Sequence, residues 1–491
     1  MQLGEGNAAV KGSSSREGTG VSHVQSAQEK SSAGSMTAAR TIGSIQASAE
    51  RQDKTANSRT TKESNTQGSY SGGVKTYWEH YSRQIYLDYL DSELTIDLTL
   101  TCKELPKCFN RIRKASLVLG DTLHINSYVE FDDVVVKYNF SGKSVIVVKG
   151  GAGTEDMPVT MKKLKATGTT EFSGNKSTGV TVSGPGSTAV LEEGCTLSDN
   201  VDHDAVVQDG GRLEATGTTF SGNKRDGVYV HSDGSTAVLK EGCTLSVNEE
   251  GCGLVVEDGG HLEATGTTFS GNKSYGVFVG GKDSTAVLKE RCKLTENEGH
   301  GAVLKATGTM FSGNKKHGVT VSGAGSTAVL EKGCTLSEND MRGASVEDGG
   351  CLAATGTTFS GNKKDGVNVS GTGSTAVFNE GCMLSVNEEG CGLVVEDGGH
   401  LEATGTTFSG NKKDGVNVSG TGSTAVLKEG CMHHAGAFVG GGGRLEATGT
   451  TFSGNKFNGV QVGKDSTAVL TGCTPVGGDG RVWDNGTISA R

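Results

Sequence analysis

The chain has 491 residues, of which 78 are glycine and only 4 proline; 33 % are hydrophobic and the net charge is −10. So little proline without a Gly-X-Y period excludes collagen, and an acidic balance with no basic stripe excludes a nucleic-acid binder. No apolar run opens the chain and none approaches a membrane span, so the expectation is a soluble intracellular protein unless the N-terminus is incomplete.

Residues 1–69 are rich in Ser, Gly, Thr and Gln and hold no aromatic residue before Tyr70. Such a segment buries too little apolar surface to offset its ordering entropy, and it reads as a disordered tail. Residues 70–150 differ: seven of the nine tyrosines lie between Tyr70 and Tyr138. Trp78, Tyr81, Ile85 and Tyr89 have the spacing of a short amphipathic helix, and Leu94, Ile96, Leu98 and Leu100 alternate as in a strand. This block reads as an N-terminal cap that covers the first rung of a stack.

From 151 to 491 the chain repeats. Ala-Thr-Gly-Thr-Thr-Phe-Ser-Gly-Asn-Lys recurs in near-copies with its Phe at 172, 220, 269, 311, 359, 408 and 452. A sustained period of about 48 residues marks a stacked array. Each unit divides into two halves, one with Phe-Ser-Gly-Asn-Lys-x-x-Gly-Val-x-Val and one with Cys-Thr-Leu-Ser-x-Asn-x-x-Gly-x-x-Val. The rung is therefore about 24 residues. Each holds three short alternating stretches, for example Val228/Val230, Ala237/Leu239 and Cys243/Leu245, separated by Gly, Asn and Asp-Gly-Gly turns. The predicted fold is all-β: a single-stranded parallel β-helix, a solenoid of about 13 or more rungs with three short strands each.

This rung resembles the right-handed parallel β-helix repeat of the pectin-lyase-like superfamily, and less closely the FxxN repeats of polymorphic outer-membrane proteins. The resemblance covers about two thirds of the chain. It implies right-handedness. It does not fix a function, because many activities and inert scaffolds share the fold.

The repeated residues read as structural. Asparagines such as Asn223, Asn248 and Asn272 fall at one place in almost every rung, suited to a sharp bend and to an amide ladder between rungs. Lys follows the Asn in Phe-type rungs, while acids such as Glu250 and Glu298 occupy Leu-type rungs. Alternating rungs then place opposite charges in contact. Cys195, Cys243, Cys292, Cys334, Cys382, Cys431 and Cys473 recur two rungs apart, too far for disulfides, and read as buried apolar residues. Cys102 and Cys108 are close enough in sequence to pair.

Enzymes that the resemblance brings in, such as pectate lyases and uronan epimerases, carry charged groups on the outer face of one strand stack. The matching outward positions here include Thr181, Val206, Tyr229, Val255, Phe278, Asn368 and Asn417, and none is charged. The weak catalytic candidates are Asp202, His203 and Asp204, which replace Glu-Glu-Gly of other rungs. His433-His434 lacks an accompanying carboxylate and is not read as a metal site. Neither metal nor cofactor is expected. Val206, Tyr229, Val255 and Phe278 form an apolar strip and are the binding candidates. The sequence therefore points to a non-catalytic β-helix scaffold that binds a polysaccharide or a partner protein through one sheet face. The alternative is a carbohydrate-active enzyme, pectate-lyase-like or epimerase-like. Two units are shortened, near Gly299–Ala306 and at Met432–Gly436, where distortion is expected.

Overall fold

The computed structural model describes residues 162–491 except 282, 300–304, 435, 454–458, 477–482, 485 and 491. It also describes the earlier strands Ile96–Leu100, Arg111–Leu119, Leu123–Ile125, Val129–Tyr138 and Ile146–Lys149. The tail at 1–69, the helix expected near Trp78–Tyr89, and Cys102 and Cys108 lie outside the described residues. No described residue is helical. Among the described residues, no helix is long and apolar enough to cross a membrane.

One turn of the chain comprises Arg212–Ala215, Thr219–Ser221 and Val228–His231; the next comprises Thr236–Leu239, Thr244–Ser246 and Leu254–Glu257. Each strand pairs in parallel with its equivalent one rung on, giving three strand columns of a β-solenoid. The pleat sends alternate side chains inward. Leu213, Phe220, Val228 and Val230 are accordingly buried with their equivalents in one continuous core. In the second column Leu197, Phe220, Leu245 and Phe269 are successive register partners, so large and smaller side chains alternate up the stack.

The asparagine ladder is present. Asn314 donates from Nδ2 to Asn339 Oδ1 at 2.9 Å and to Leu294 O at 3.0 Å. Equivalent side-chain bonds link the series up to Asn411. The charge alternation is present too: Glu298 lies 2.8 Å from Lys273 Nζ and 2.6 Å from Lys315 Nζ on the rungs to either side. Those two ammonium groups hold its carboxyl down at about 2.

The turns explain the glycine content. At Asp258-Gly259-Gly260 the first two residues have φ of 48° and 83°. A Cβ on Gly260 would stand 2.8 Å from Val230 O on the rung below. The ten described cysteines are free, and the repeating series alternates with buried Thr218, Thr267 and their equivalents.

Among the described residues the first and second columns are continuous, and the third comprises two sheets. Seven strands run from Leu123–Ile125 to Val277–Val279, and eight from Val319–Ser322 to Trp483–Asp484. Residues 300–304, between the two sheets, lie outside the described residues, and the first-column strand after them is described over Lys305–Ala306. At the second shortened unit the strand Met432–His433 has two residues, and the third column continues through the pairing of Val416–Ser419 with Ala437–Gly440.

Candidate functional site

The structure keeps Asp202 and His203 together, with His203 Nε2 3.8 Å from Asp202 Oδ1, but turns Asp204 away from both. Asp204 is fully buried in the asparagine ladder. Its Oδ1 accepts from Asn200 Nδ2 at 2.7 Å and its Oδ2 from Asn223 Nδ2 at 2.5 Å. Burial pushes its carboxyl well above the ordinary range, opposed by the two amides. Asp202 is half-exposed and sits 3.2 Å from Arg225 Nε.

His203 is buried, at 8 % exposure, against the half-buried ring of Tyr229. Its ring stacks on Tyr229 with centroids 5.3 Å apart and planes at 19°. Its Nδ1 is 3.4 Å from Asp226 Oδ2, near enough for charge pairing but not aligned as a hydrogen bond. Asp226 is itself fixed, since its Oδ1 accepts the Cys252 backbone N–H at 2.6 Å.

The apolar strip has the expected register: Val206, Tyr229, Val255 and Phe278 are successive partners. It is not an exposed apolar surface along its length. Val206 and Val255 are buried, at 9 % and 7 % exposure, whereas Tyr229 and Phe278 are half-buried. The two valines flank Tyr229 in register, and the outer surface there is supplied by the larger rings.

Residues two places further along each strand also face outward, and the sequence reading did not include them. They are Gln208, His231 and Glu257 on consecutive rungs. Tyr229 Oη donates to Glu257 Oε2 at 2.9 Å. His231 stacks on Tyr229 with centroids 4.7 Å apart. Its Nε2 lies 3.2 Å from Gln208 Oε1 and its Nδ1 3.0 Å from Ser232 Oγ. Burial pushes the Tyr229 phenol up to about 12, with further contributions from Glu257, Asp258 and Asp226. The face around the uncharged central column is therefore charged. The signal was the period-2 alternation itself, which makes His231 and Glu257 outward whenever Tyr229 and Val255 are.

The eight-stranded part of the third column is different. Ser345, Asn368, Val394 and Asn417 are successive partners there, as Val206, Tyr229, Val255 and Phe278 are in the first part, and among the described residues no three-ring stack forms on them. Among the described residues, no three His, Cys, Asp or Glu side chains are grouped to hold a metal ion. His433 is in the core, between Phe408 and Phe452.

The family described as right handed beta helix region matches residues 123–291 and 284–431. Solved structures similar to the chain include a periplasmic alginate epimerase, at 11 % identity, 81 % of this chain, 76 % of that chain and a TM-score of 0.25. The A-module of a mannuronan C-5 epimerase from Azotobacter vinelandii matches at 11 % identity, 83 % and 94 % coverage and a TM-score of 0.28. Tailspike protein 3 of bacteriophage CBA120 matches at 11 % identity, 76 % and 50 % coverage and a TM-score of 0.24. No curated protein matches the sequence. Likeness at this level carries no argument about activity.

Proposed function

Because the chain belongs to the right-handed β-helix family, we propose that it is a repeat scaffold that binds a polysaccharide. The ligand lies on the outer face of the seven-stranded sheet, with Tyr229 and Phe278 as contacts and Val206 and Val255 beneath them. The observation that carries this reading is the stack of His203, Tyr229 and His231. Rings with polar edges, set among carboxylates on a regular flat face, suit the mixed apolar and hydroxyl surface of a sugar. Rungs repeat every 4.7–4.9 Å or so, which favours an extended linear polymer over a compact ligand.

The charge of the face narrows the choice. Asp202, Asp226 and Glu257 surround the stack, and the Arg225 guanidinium is already paired with Asp202. A polyanionic uronan would meet like charge there, so neutral or amine-bearing chains fit better.

The test is a polysaccharide binding array with the purified chain, alongside Tyr229→Ser with Phe278→Ser. The double variant should lose binding while keeping its strand signal in circular dichroism. Unchanged binding would overturn the reading. A catalytic reading draws support from His203, whose Nδ1 lies within reach of Asp226. It requires turnover that disappears in Asp202→Ala and His203→Ala. Asp204 cannot share such a role from inside the ladder, with both carboxyl oxygens already accepting.

A further inference from the structure

His433 occupies a place in the second column that Leu197, Leu245, Leu294, Leu336 and Leu384 fill in the other Leu-type rungs. Its register partners are Phe408 and Phe452. The imidazole is sandwiched between their rings, at centroid distances of 4.5 and 4.9 Å and plane angles of 15° and 25°. It is fully buried, and neither Nδ1 nor Nε2 has a hydrogen-bond partner. A buried polar ring without partners is costly, and a charged one far more so.

Two other supports are missing at the same rung. The asparagine ladder has no member there: Asn411 accepts from Asn387 Nδ2 at 2.8 Å and donates to Leu384 O, and the next rung offers His433 instead. The second-column strand is cut to Met432–His433. Among the described residues, no carboxylate offsets a proton on His433. Next to it in the chain is His434, whose charge opposes protonation, and around it are Phe408, Phe452, the buried Cys431 thiol and the Gly415 backbone.

We infer that the rung at 431–440 is an acid-sensitive joint, at which protonation of His433 releases the C-terminal rungs while the rungs before Asn411 stay stacked. The sign follows from linkage. Burial drives the His433 pKa down to about 3, below the ordinary 6.5. Its contribution is thus intact above pH 6.5 and is lost progressively as pH falls below it, because the opened form takes up the proton.

The test is hydrogen exchange on the full chain at pH 7.5 and 5.0, corrected for intrinsic rates. Opening of the strands from Ala437 to Thr471 should rise about 30-fold at the lower pH, the ratio set by an ordinary histidine in the open form. Strands from Val319 to Ser360 should show no such rise. His433→Leu restores the residue of the sister rungs and should remove the rise. His433→Asn keeps a polar group but cannot titrate, and should open more at both pH values with no rise. An acid response that persists in His433→Leu, that appears equally in strands 319–360, or that is absent from the wild type overturns the inference.

Discussion

Asn200 and Asn223 are neighbours in the asparagine ladder, yet the Asn200 side-chain amide does not donate to Asn223. It donates to Asp204, whose second oxygen takes the Asn223 amide. Only the Asn200 backbone N–H still reaches Asn223 Oδ1, at 3.0 Å. Other rungs carry glycine at this place, and a Cβ on the equivalent Gly253 would lie 2.6 Å from Gly276 O. Asp204 is thus a carboxyl side chain inserted where the repeat elsewhere has no side chain.

Asp204→Gly should therefore stabilise the protein, by about 1 kcal/mol at pH 7 after the entropy of the added glycine is deducted. The folded-state pKa is raised, so the wild type is penalised increasingly as pH rises above the ordinary carboxylate value. The gain should shrink at pH 4. Asp204→Asn should gain less, because its amide turns a donor toward one of two donors. Thermal melts of both variants at the two pH values decide this.

Asn314→Ala should cost about 2–4 kcal/mol. The substitution removes two donated bonds and leaves the Asn297 backbone N–H without its acceptor in a dry interior. Denaturant unfolding measures the loss, and a change below about 0.5 kcal/mol would contradict a structural role for the ladder.

Glu298→Gln should leave the unfolding midpoint unchanged at moderate salt despite its two lysine contacts. Both pairs are solvent-exposed, and screening removes most of their attraction. A large drop at low salt that vanishes in high salt would instead assign the charges a role in stability.

The repeated thiols should resist alkylation. Burial raises Cys243, Cys292, Cys334 and Cys382, so little thiolate forms at neutral pH. Among the described cysteines, half-exposed Cys351 and Cys473 should label before the buried ones in the native protein, as peptide mapping after a short pulse would show.

The rung, the ladder and the charge alternation were all legible in the sequence because repetition averages over local accidents. One Asn after Phe-Ser-Gly is ambiguous, but the same Asn at almost every turn can only be a stacking position. The candidate site was only partly legible. Tyr229 and Phe278 stood out as aromatic exceptions, but His231 and Glu257 emerge only when strand phase is carried two residues further. The run Asp202–Asp204 looked like one site because the three are adjacent in sequence. The bend there leaves His203 beside Asp202 and Tyr229 and turns Asp204 into the asparagine ladder, and a linear reading does not separate them. His433 sits in a shortened unit, where the local copy of the motif no longer says which position it fills.

The pairing of a Phe rung with a Leu rung also constrains how such a chain can grow. A single extra rung would set Phe on Phe in the core and lysine beside lysine outside, whereas two together keep both alternations intact. Lengthening by gene duplication in units of two turns is therefore the route that leaves both patterns in phase.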